Sequence, residues 1–283
     1  MTQGSVEQTT KAIPFVNWAG GKSQLISQMA PWLPRAHECS GYIEPFLGGG
    51  AVFLTVRPDE ATLGDSNGEL VNCYRVVRDN VDALISRLSE HVHSKYYFYW
   101  LRRQNPDWMD DVARAARFIH LNKTCFNGVY RVNLRGEFNV PYGNRKARVF
   151  DEENLRRVSS LLQNAELVEQ SYEVTLQNAK PMDFVYLDPP YHPVSKTASF
   201  TKYTRSPFGE EDQQILAAEF DRIARLGCRV MLSNSDTELV RRLYRHYKMH
   251  SVKANRYINC NGNGRKAVRE LLITNYDPSV PWA

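Results

Sequence analysis

Two adjacent prolines after a short apolar segment constrain the fold of this chain more than any other feature. Residues Phe184–Leu187 form the apolar segment, and Asp188-Pro189-Pro190-Tyr191 follows it directly. Because proline has no backbone N–H and a fixed φ, the chain cannot continue in a sheet beyond Asp188. The pattern therefore predicts a buried strand that ends in a stiff polar loop.

Other apolar runs end in small or acidic residues in the same way. The runs at residues 42–46 and 61–63 lead to Gly48 and Asp65, respectively. Helical patterns, such as the one from Leu216 to Ile223, separate the strand-like runs. Strands that alternate with helices predict an open α/β sheet, in which ligands bind beyond the carboxyl ends of the strands.

The middle of the chain differs from its flanks in charge and periodicity. Residues 70–149 carry 14 Lys and Arg against 7 Asp and Glu, whereas the remainder carries 22 against 24. Helical periodicity is followed at residues 122–143 by a segment rich in Asn, Gly, Arg and aromatics, which is typical of a hairpin with loops. We expect a disordered tail at residues 1–12, an α/β domain at 13–69 and 150–283, and a basic, mainly helical domain inserted at 70–149.

Composition limits the class of protein. The chain is 42% hydrophobic and 24% charged, which is typical of a soluble globular protein. No apolar run approaches the roughly 18 residues of a membrane span, and no secretory signal is evident, so we expect a cytoplasmic protein. The five cysteines include no close pair, and His91 and His93 lie in a polar stretch, so we expect neither a disulfide framework nor a metal site.

The segment Gly20-Gly21-Lys22-Ser23 matches a phosphate-binding loop only in part. A Walker A loop requires glycine five positions before Gly21, and that residue is Val16. The remaining feature is a glycine turn with a lysine at the start of a helix, a place that suits the binding of a carboxylate group. Nucleoside triphosphate hydrolysis is therefore disfavoured.

A second glycine-rich turn and an acidic residue indicate a cofactor. The strand-like run at 42–46 leads into Gly48 and Gly50, and glycine lets a ligand approach the backbone closely. Asp65 stands at the end of the next strand, where an acidic residue holds ribose hydroxyls in such folds. The glycine turn alone could be purely structural, but with Asp65 it favours an adenosine-containing cofactor.

The proline-rich loop suits an exocyclic amine. Such an amine has two N–H bonds, for which the Asp188 side chain and the Pro189 carbonyl are candidate acceptors, while the Tyr191 ring is a stacking partner for the base. Acceptance of both hydrogen bonds localises the nitrogen lone pair and makes the nitrogen a nucleophile towards an activated methyl group. An Asp-Pro turn beside a core tyrosine is the alternative interpretation of the tetrapeptide alone.

With these motifs in this order, the sequence resembles the Dam-type family of DNA adenine-N6 methyltransferases, which act at GATC. The resemblance extends from Phe15 to about Tyr276 and includes Ser233-Asn234-Ser235. It implies a Rossmann-like methyltransferase domain with an inserted DNA-recognition domain, S-adenosylmethionine as cofactor, and base flipping. The implied partner is double-stranded DNA containing GATC. Apart from the resemblance, we expect no metal and no membrane partner, and we expect action as a monomer because a palindromic site can be methylated one strand at a time.

The resemblance also assigns roles to individual residues. The implied catalytic residues are Asp188, Pro189, Pro190 and Tyr191. The implied cofactor contacts are Trp18, Lys22 near the carboxylate, Glu44, Phe46, Gly48, Gly50, Asp65 on the ribose, Ser171 and Tyr172 beside the adenine, and Asp188. The implied DNA contacts are Asn17, Phe126, Asn127, Val129, Arg131, Asn133, Arg135, Asn139 and Pro141.

Within the DNA contacts, the resemblance gives some residues definite tasks. Arg131 matches the family's guanine-reading arginine, Phe126 matches an aromatic that wedges into the base stack, and Val129 with Pro141 matches contacts to a thymine methyl. Asn17 stands where some members carry a lysine that contacts the outer base pair, which leaves discrimination at the first base open.

Two other functions remain open from the sequence. An RNA adenine methyltransferase is disfavoured by the Arg131 segment, because duplex RNA offers no readable major groove. A DNA-binding regulator without catalysis is disfavoured because the tetrapeptide and the cofactor motifs are intact. Binding of S-adenosylmethionine in the absence of DNA would discriminate the regulator from the enzyme.

Overall fold

A computed structural model describes residues 11–143, 148–194, 208–254 and 268–279, so the predicted tail lies almost wholly outside the described residues. Within these ranges, seven strands form one sheet in the order β3-β2-β1-β4-β5-β7-β6. The strands are β1 (Tyr42–Glu44), β2 (Ala61–Asp65), β3 (Ala165–Glu169), β4 (Phe184–Leu187), β5 (Arg229–Ser235), β6 (Lys248–Ala254) and β7 (Val268–Thr274). This mixed α/β architecture is consistent with a methyltransferase fold.

Strand direction changes at one side of the sheet. Strands β1 to β5 pair in parallel, whereas β7 runs antiparallel to both β5 and β6. All four residues of β4 are buried, as expected for a central strand covered on both faces. The strand ends at Leu187 because Pro189 and Pro190 cannot continue the ladder.

Ten α-helices connect and cover the strands of the described residues, and several begin and end at local signals. The Asp110 side chain accepts a hydrogen bond from Ala113 N at 2.7 Å and caps one helix. Gly227 ends another with φ 99°, as the sequence predicts. The helices are α1 (Ile26–Met29), α2 (Phe53–Val56), α3 (Gly68–Asp79), α4 (Val81–Ser89), α5 (Lys95–Arg103), α6 (Asp111–Thr124), α7 (Glu152–Leu162), α8 (Tyr172–Leu176), α9 (Glu210–Leu226) and α10 (Glu238–Leu243).

The predicted insert is helical and shares much of its packing with the sheet. One hydrophobic cluster contains Leu63 and Phe184 of the sheet together with Leu70 of α3 and Ile119 of α6. A smaller cluster away from the sheet holds Phe98, Leu101, Leu121, Cys125, Phe138 and Val140. The boundary of the insert at residues 70 and 149 stays a prediction. In the described part of the chain, no helix is long and apolar enough to cross a membrane.

His91 and His120 pack against each other near α4 and α6. Their ring centroids are 5.1 Å apart, and His91 Nδ1 lies 2.6 Å from the Tyr97 hydroxyl. His120 is fully buried, and both of its ring nitrogens lack a hydrogen-bond partner among the described residues. Burial lowers the pKa of His91 to about 4 and that of His120 to about 3, so both imidazoles are neutral in the folded protein near pH 7.

The lowered pKa values of His91 and His120 predict that these two residues destabilise the folded protein in acid. Because their folded-state pKa values lie below the unfolded value of about 6.5, the unfolded chain binds more protons and is favoured as the pH falls below it. Between pH 7 and pH 5.5, the two histidines together should lower the free energy of unfolding by about 2 to 2.5 kcal/mol, since each pH unit is worth up to about 1.4 kcal/mol per group. The raised pKa values of Glu44 and Asp188 act in the opposite direction over the same range, so the contribution of the histidines is measured as the difference between the wild type and a histidine variant. Urea denaturation across this range measures the effect.

A variant with a matched control tests whether this pH effect comes from the buried histidines. His120→Phe keeps an aromatic ring in the site and is expected to shift the change in unfolding free energy over this range by about 1 kcal/mol towards higher stability at low pH. His37→Gln alters an exposed histidine and is expected to leave the pH slope of the wild type unchanged. An unaltered pH slope in His120→Phe contradicts the assignment.

Candidate active site

The carboxyl ends of the parallel strands gather polar residues at one edge of the sheet. Glu44 ends β1, Asp65 ends β2, Asp188 follows β4 and Ser235 ends β5. The antiparallel strand β7 begins at this same edge, where Glu270 pairs with Ser235. The candidate site lies where the sequence predicts it, beyond the carboxyl ends of the strands.

An ion pair lies at the centre of this edge. Lys22 Nζ is 2.6 Å from Asp188 Oδ2 and also donates a hydrogen bond to the Gly20 carbonyl at 2.5 Å. The Lys22 side chain is only 4% exposed. The sequence placed Lys22 near a ligand carboxylate; in the structure, the carboxylate that it contacts is that of Asp188.

The charge state of Asp188 follows from its surroundings. Burial raises the pKa of Asp188 to about 6, the attraction and hydrogen bond of Lys22 oppose this rise, and the negative charge of Glu270 adds to it. At neutral pH the carboxylate is therefore ionised. It combines a negative charge with a pKa close enough to neutrality for proton transfer.

A buried pair of amides holds the proline-rich loop in place. Gln213 Nε2 donates to the Pro190 carbonyl at 2.9 Å, and Gln213 Oε1 accepts from Asn234 Nδ2 at 2.9 Å. Asn234 Oδ1 in turn accepts from His192 N at 3.1 Å. Gln213 and Asn234 are fully buried, so the bond between their two amides is shielded from water. The Pro189 carbonyl accepts no hydrogen bond from the part of the chain that the structure describes.

The Tyr191 ring has two anchors. Its hydroxyl donates to Glu270 Oε2 at 2.8 Å, and Lys22 Nζ lies 4.9 Å from the ring centroid. Neither Glu270 nor Gln213 was identified from the sequence. Gln213 lies three residues before Leu216 and seven before Phe220, so the helical spacing places it on the buried face, and a polar residue on that face was the available signal. Glu270 lies on a strand that the local sequence patterns did not indicate.

The second glycine turn is shaped by its protein neighbours. Gly48 has φ 48°, and a Cβ there would lie 2.6 Å from Trp18 Cδ1. Gly50 has φ 66°, and a Cβ there would lie 2.8 Å from the Tyr74 hydroxyl. The backbone conformation and the neighbouring side chains therefore require glycine at both positions, whether or not a ligand approaches the turn.

Backbone amides orient Asp65 beside this turn. Asp65 Oδ2 accepts from Gly48 N at 3.0 Å, and Oδ1 accepts from Asn67 N at 2.9 Å. Burial raises the pKa of Asp65, and the backbone hydrogen bonds oppose this rise. The two bonds hold the carboxylate at the edge of the sheet, next to the glycine turn.

Glu44 lies deeper than the other carboxylates. Its Oε2 accepts from the Tyr42 hydroxyl at 2.6 Å and from Phe53 N at 3.2 Å. Burial raises the pKa of Glu44 to about 8. These bonds join the end of β1 to the first residue of α2, so Glu44 holds both ends of the glycine turn.

An aromatic pair borders the edge on the side of β2 and β3. Phe46 stacks on Tyr172 with ring centroids 5.1 Å apart and an interplanar angle of 27°. Tyr172 is buried, and its hydroxyl has no hydrogen-bond partner among the described residues. Ser171 is exposed at the N-cap of α8. A buried, unpaired hydroxyl beside an aromatic ring suits a planar ligand that carries polar groups.

The predicted hairpin is present between α6 and residue 143. Isolated bridges join Cys125 to Tyr142 and Val132 to Phe138. Arg131 is exposed and its Nε donates to Asn139 Oδ1 at 2.7 Å. Several of the predicted DNA contacts are thus on one outward-facing element, including the exposed residues Phe126, Arg131, Arg135 and Pro141 and the half-buried Asn127, Val129, Asn133 and Asn139.

Asn133 organises the tip of the hairpin. Its Oδ1 accepts from Arg135 N at 2.9 Å and from Glu137 N at 3.0 Å, and its Nδ2 donates to Glu137 Oε2 at 2.7 Å. The amide is therefore engaged within the turn, while the Arg135 side chain is exposed. This arrangement gives Asn133 a structural task that the sequence did not indicate.

The hairpin is joined directly to the first glycine turn. Asn122 Oδ1 accepts from Asn17 N, and Asn122 Nδ2 donates to the Asn17 carbonyl, each at 2.8 Å. Trp18 stacks on Tyr130 with ring centroids 5.8 Å apart and an interplanar angle of 19°. The residues assigned to the cofactor and those assigned to DNA thus meet at a shared boundary.

The glycine requirement generates a stability prediction. Gly48→Ala places a Cβ against the Trp18 ring in a left-handed conformation, so we expect a loss of about 2 to 4 kcal/mol from strain and displaced packing. Gly20→Ala is the matched control, because Gly20 has φ 79° but a Cβ there would lie 3.8 Å from its nearest neighbour. Urea denaturation should show a clearly larger loss for Gly48→Ala; equal losses contradict the packing argument.

Comparison with known proteins identifies the family. The family model described as D12 class N6 adenine-specific DNA methyltransferase matches residues 18–258. Type II methyltransferase M.MjaIII of Methanocaldococcus jannaschii is 42% identical over 285 residues, covering 93% of this chain and 99% of that protein. The DNA adenine methylases of Serratia marcescens and Escherichia coli (strain K12) are 40% and 37% identical, over 91% and 94% of this chain and 96% of each relative. The chain therefore belongs to the D12 class of N6 adenine-specific DNA methyltransferases.

Proposed function

We propose that this protein transfers the methyl group of S-adenosylmethionine to N6 of the adenine in GATC, within double-stranded DNA, after the adenine has left the base stack. The observation that carries this proposal is the arrangement around Asp188. An ionised carboxylate paired with Lys22 precedes the Pro189 carbonyl, which accepts no hydrogen bond from the described residues, and the anchored ring of Tyr191.

Two acceptors at the proline-rich loop match the two N–H bonds of the adenine amine. The Asp188 carboxylate supplies one and the Pro189 carbonyl the other, and together they leave the nitrogen lone pair free to attack. When the N–C bond forms, the amine becomes cationic and acidic. Asp188, with a pKa of about 6, is then a suitable acceptor for the departing proton.

The residues around the glycine turns fit an adenosyl cofactor. Asp65 is oriented by backbone amides, Phe46 and Tyr172 offer an aromatic border, and Lys22 supplies a positive charge. When bound, S-adenosylmethionine supplies a methyl group on a sulfonium, which is already a good leaving group. The task of the protein is therefore alignment, which is worth on the order of 7–11 kcal/mol in well-oriented reactions.

Rigidity of the loop supports this alignment. Pro189 and Pro190 restrict the backbone, and the buried amides of Gln213 and Asn234 hold the Pro190 carbonyl and the amide N–H of His192. A nucleophile held by this loop keeps its position while the methyl group is transferred. Neither a metal ion nor a covalent intermediate is needed in this mechanism.

The outward face of the hairpin suits the major groove of DNA. Arg131 is exposed, and a bidentate contact from arginine to guanine O6 and N7 contributes roughly 1–3 kcal/mol of discrimination. Phe126 is 55% exposed, so its ring is available to enter a gap in the base stack. The basic excess of residues 70–149 adds attraction for phosphates, which makes binding sensitive to salt.

The same observations disfavour the two alternative functions, an RNA adenine methyltransferase and a DNA-binding regulator. Duplex RNA presents a deep, narrow major groove that the Arg131 hairpin cannot read. A regulator without catalysis has no use for an ionised carboxylate in a loop held by buried amides. We further infer that one copy suffices, because a palindromic site can be methylated one strand at a time.

The primary test measures methyl transfer from labelled S-adenosylmethionine to two duplexes that differ only in GATC versus GTTC. We expect label on the GATC adenine alone. Asp188→Ala serves as the control and should bind the GATC duplex but transfer no label. Label on other adenines contradicts GATC specificity, whereas tight DNA binding without transfer by the wild type favours the regulator.

Arg131 generates a separate prediction about base discrimination. We compare a GATC duplex with a duplex in which the guanine of the site is replaced by another base. Arg131→Ala should reduce the preference for the GATC duplex roughly 10- to 100-fold, as expected from the loss of one bidentate contact. Arg135→Ala removes the same charge from the hairpin tip and should weaken binding to both duplexes equally. Equal loss of preference in the two variants contradicts a guanine-reading role for Arg131.

A further inference from the structure

The reversal of strand β7 brings a carboxylate to the catalytic loop. Because β7 runs antiparallel to β5, its first residues lie at the edge where the parallel strands end, and Glu270 pairs with Ser235 at that edge. Leu271, Leu272 and Ile273 that follow are buried in the sheet. The backbone of Glu270 is therefore held by the ladder on both sides, while its side chain extends to Tyr191.

The contact between Glu270 and Tyr191 anchors the far end of the ring. The Tyr191 hydroxyl donates to Glu270 Oε2 at 2.8 Å, and a hydrogen bond to a carboxylate is stronger than one between neutral groups. The other end of the ring is tied to the restricted backbone of the loop, next to Pro190. Lys22 Nζ lies over the ring at 4.9 Å and is also the partner of Asp188.

We propose that Glu270 is a positioning residue that fixes the direction of the Tyr191 side chain and so places its ring for stacking on the target base. This inference rests on the proposed function, because it concerns the base that Tyr191 receives. A tyrosine ring joined to the chain only through its Cβ rotates between side-chain conformers. The hydrogen bond to a carboxylate on a rigid strand selects one of them before the base arrives.

Glu270 is a positioning residue and does not contact the reacting atoms in this account. It acts through Tyr191, so its loss should alter the alignment of the amine and leave the cofactor site intact. The expected signature is a lower kcat with an unchanged KM for S-adenosylmethionine. A residue with a purely structural role would instead lower the melting temperature and leave kcat of the folded fraction unchanged.

Two substitutions at Glu270 test the proposal on a GATC duplex. Glu270→Ala removes the acceptor and should lower kcat on the order of tenfold, with no change in KM for S-adenosylmethionine. Glu270→Gln retains a side-chain oxygen that can accept from the Tyr191 hydroxyl and should restore most of the rate. Glu166→Gln is the matched control, because Glu166 is an exposed strand glutamate on β3 and should behave as the wild type.

Tyr191→Phe tests the same hydrogen bond without altering strand β7. We expect it to lower kcat as much as Glu270→Ala does, and we expect the double variant to be no slower than either single variant. Wild-type kcat in both Tyr191→Phe and Glu270→Ala overturns the proposal, as does an additive loss in the double variant. Failure of the proposed function is distinct, because the wild type itself would then fail to methylate adenine.

Discussion

The ion pair between Lys22 and Asp188 is the interaction on which the rest of the site depends. A buried carboxylate is costly unless a charge compensates it, and Lys22 provides that charge at 2.6 Å. The pair joins a glycine turn near the start of the chain to the end of the central strand β4. The same ammonium group lies over the Tyr191 ring, so one lysine fixes the acidic and the aromatic parts of the proline-rich loop together.

Contacts on either side of this ion pair give the site its shape. On one side, Gln213, Asn234 and Glu270 hold the loop from α9, β5 and β7. On the other side, the stacking of Trp18 on Tyr130 joins the glycine turn to the hairpin. The protein thus places the glycine turns, the proline-rich loop and the hairpin around one sheet edge, as the proposed function requires.

The sequence could predict the elements whose signals are local. Apolar runs closed by glycine, acidic residues or prolines identified the strands that end near Gly48, Asp65 and Asp188. The roles of Glu270, Gln213 and Asn122 were not predicted, because they depend on contacts between distant segments. In particular, Glu270 reaches Tyr191 only because β7 is inserted antiparallel between β5 and β6, which no local pattern indicates. The partner of Lys22 was missed for the same reason.

The most direct test of the account is the identity of the methylated base. Duplex DNA treated with the protein and labelled S-adenosylmethionine can be digested to nucleosides and analysed by mass spectrometry. The account predicts that N6-methyladenine carries all of the transferred methyl groups, because the two acceptors at Asp188 and Pro189 present an exocyclic amine with its lone pair free. Methyl groups on a cytosine carbon or on a ring nitrogen would contradict it.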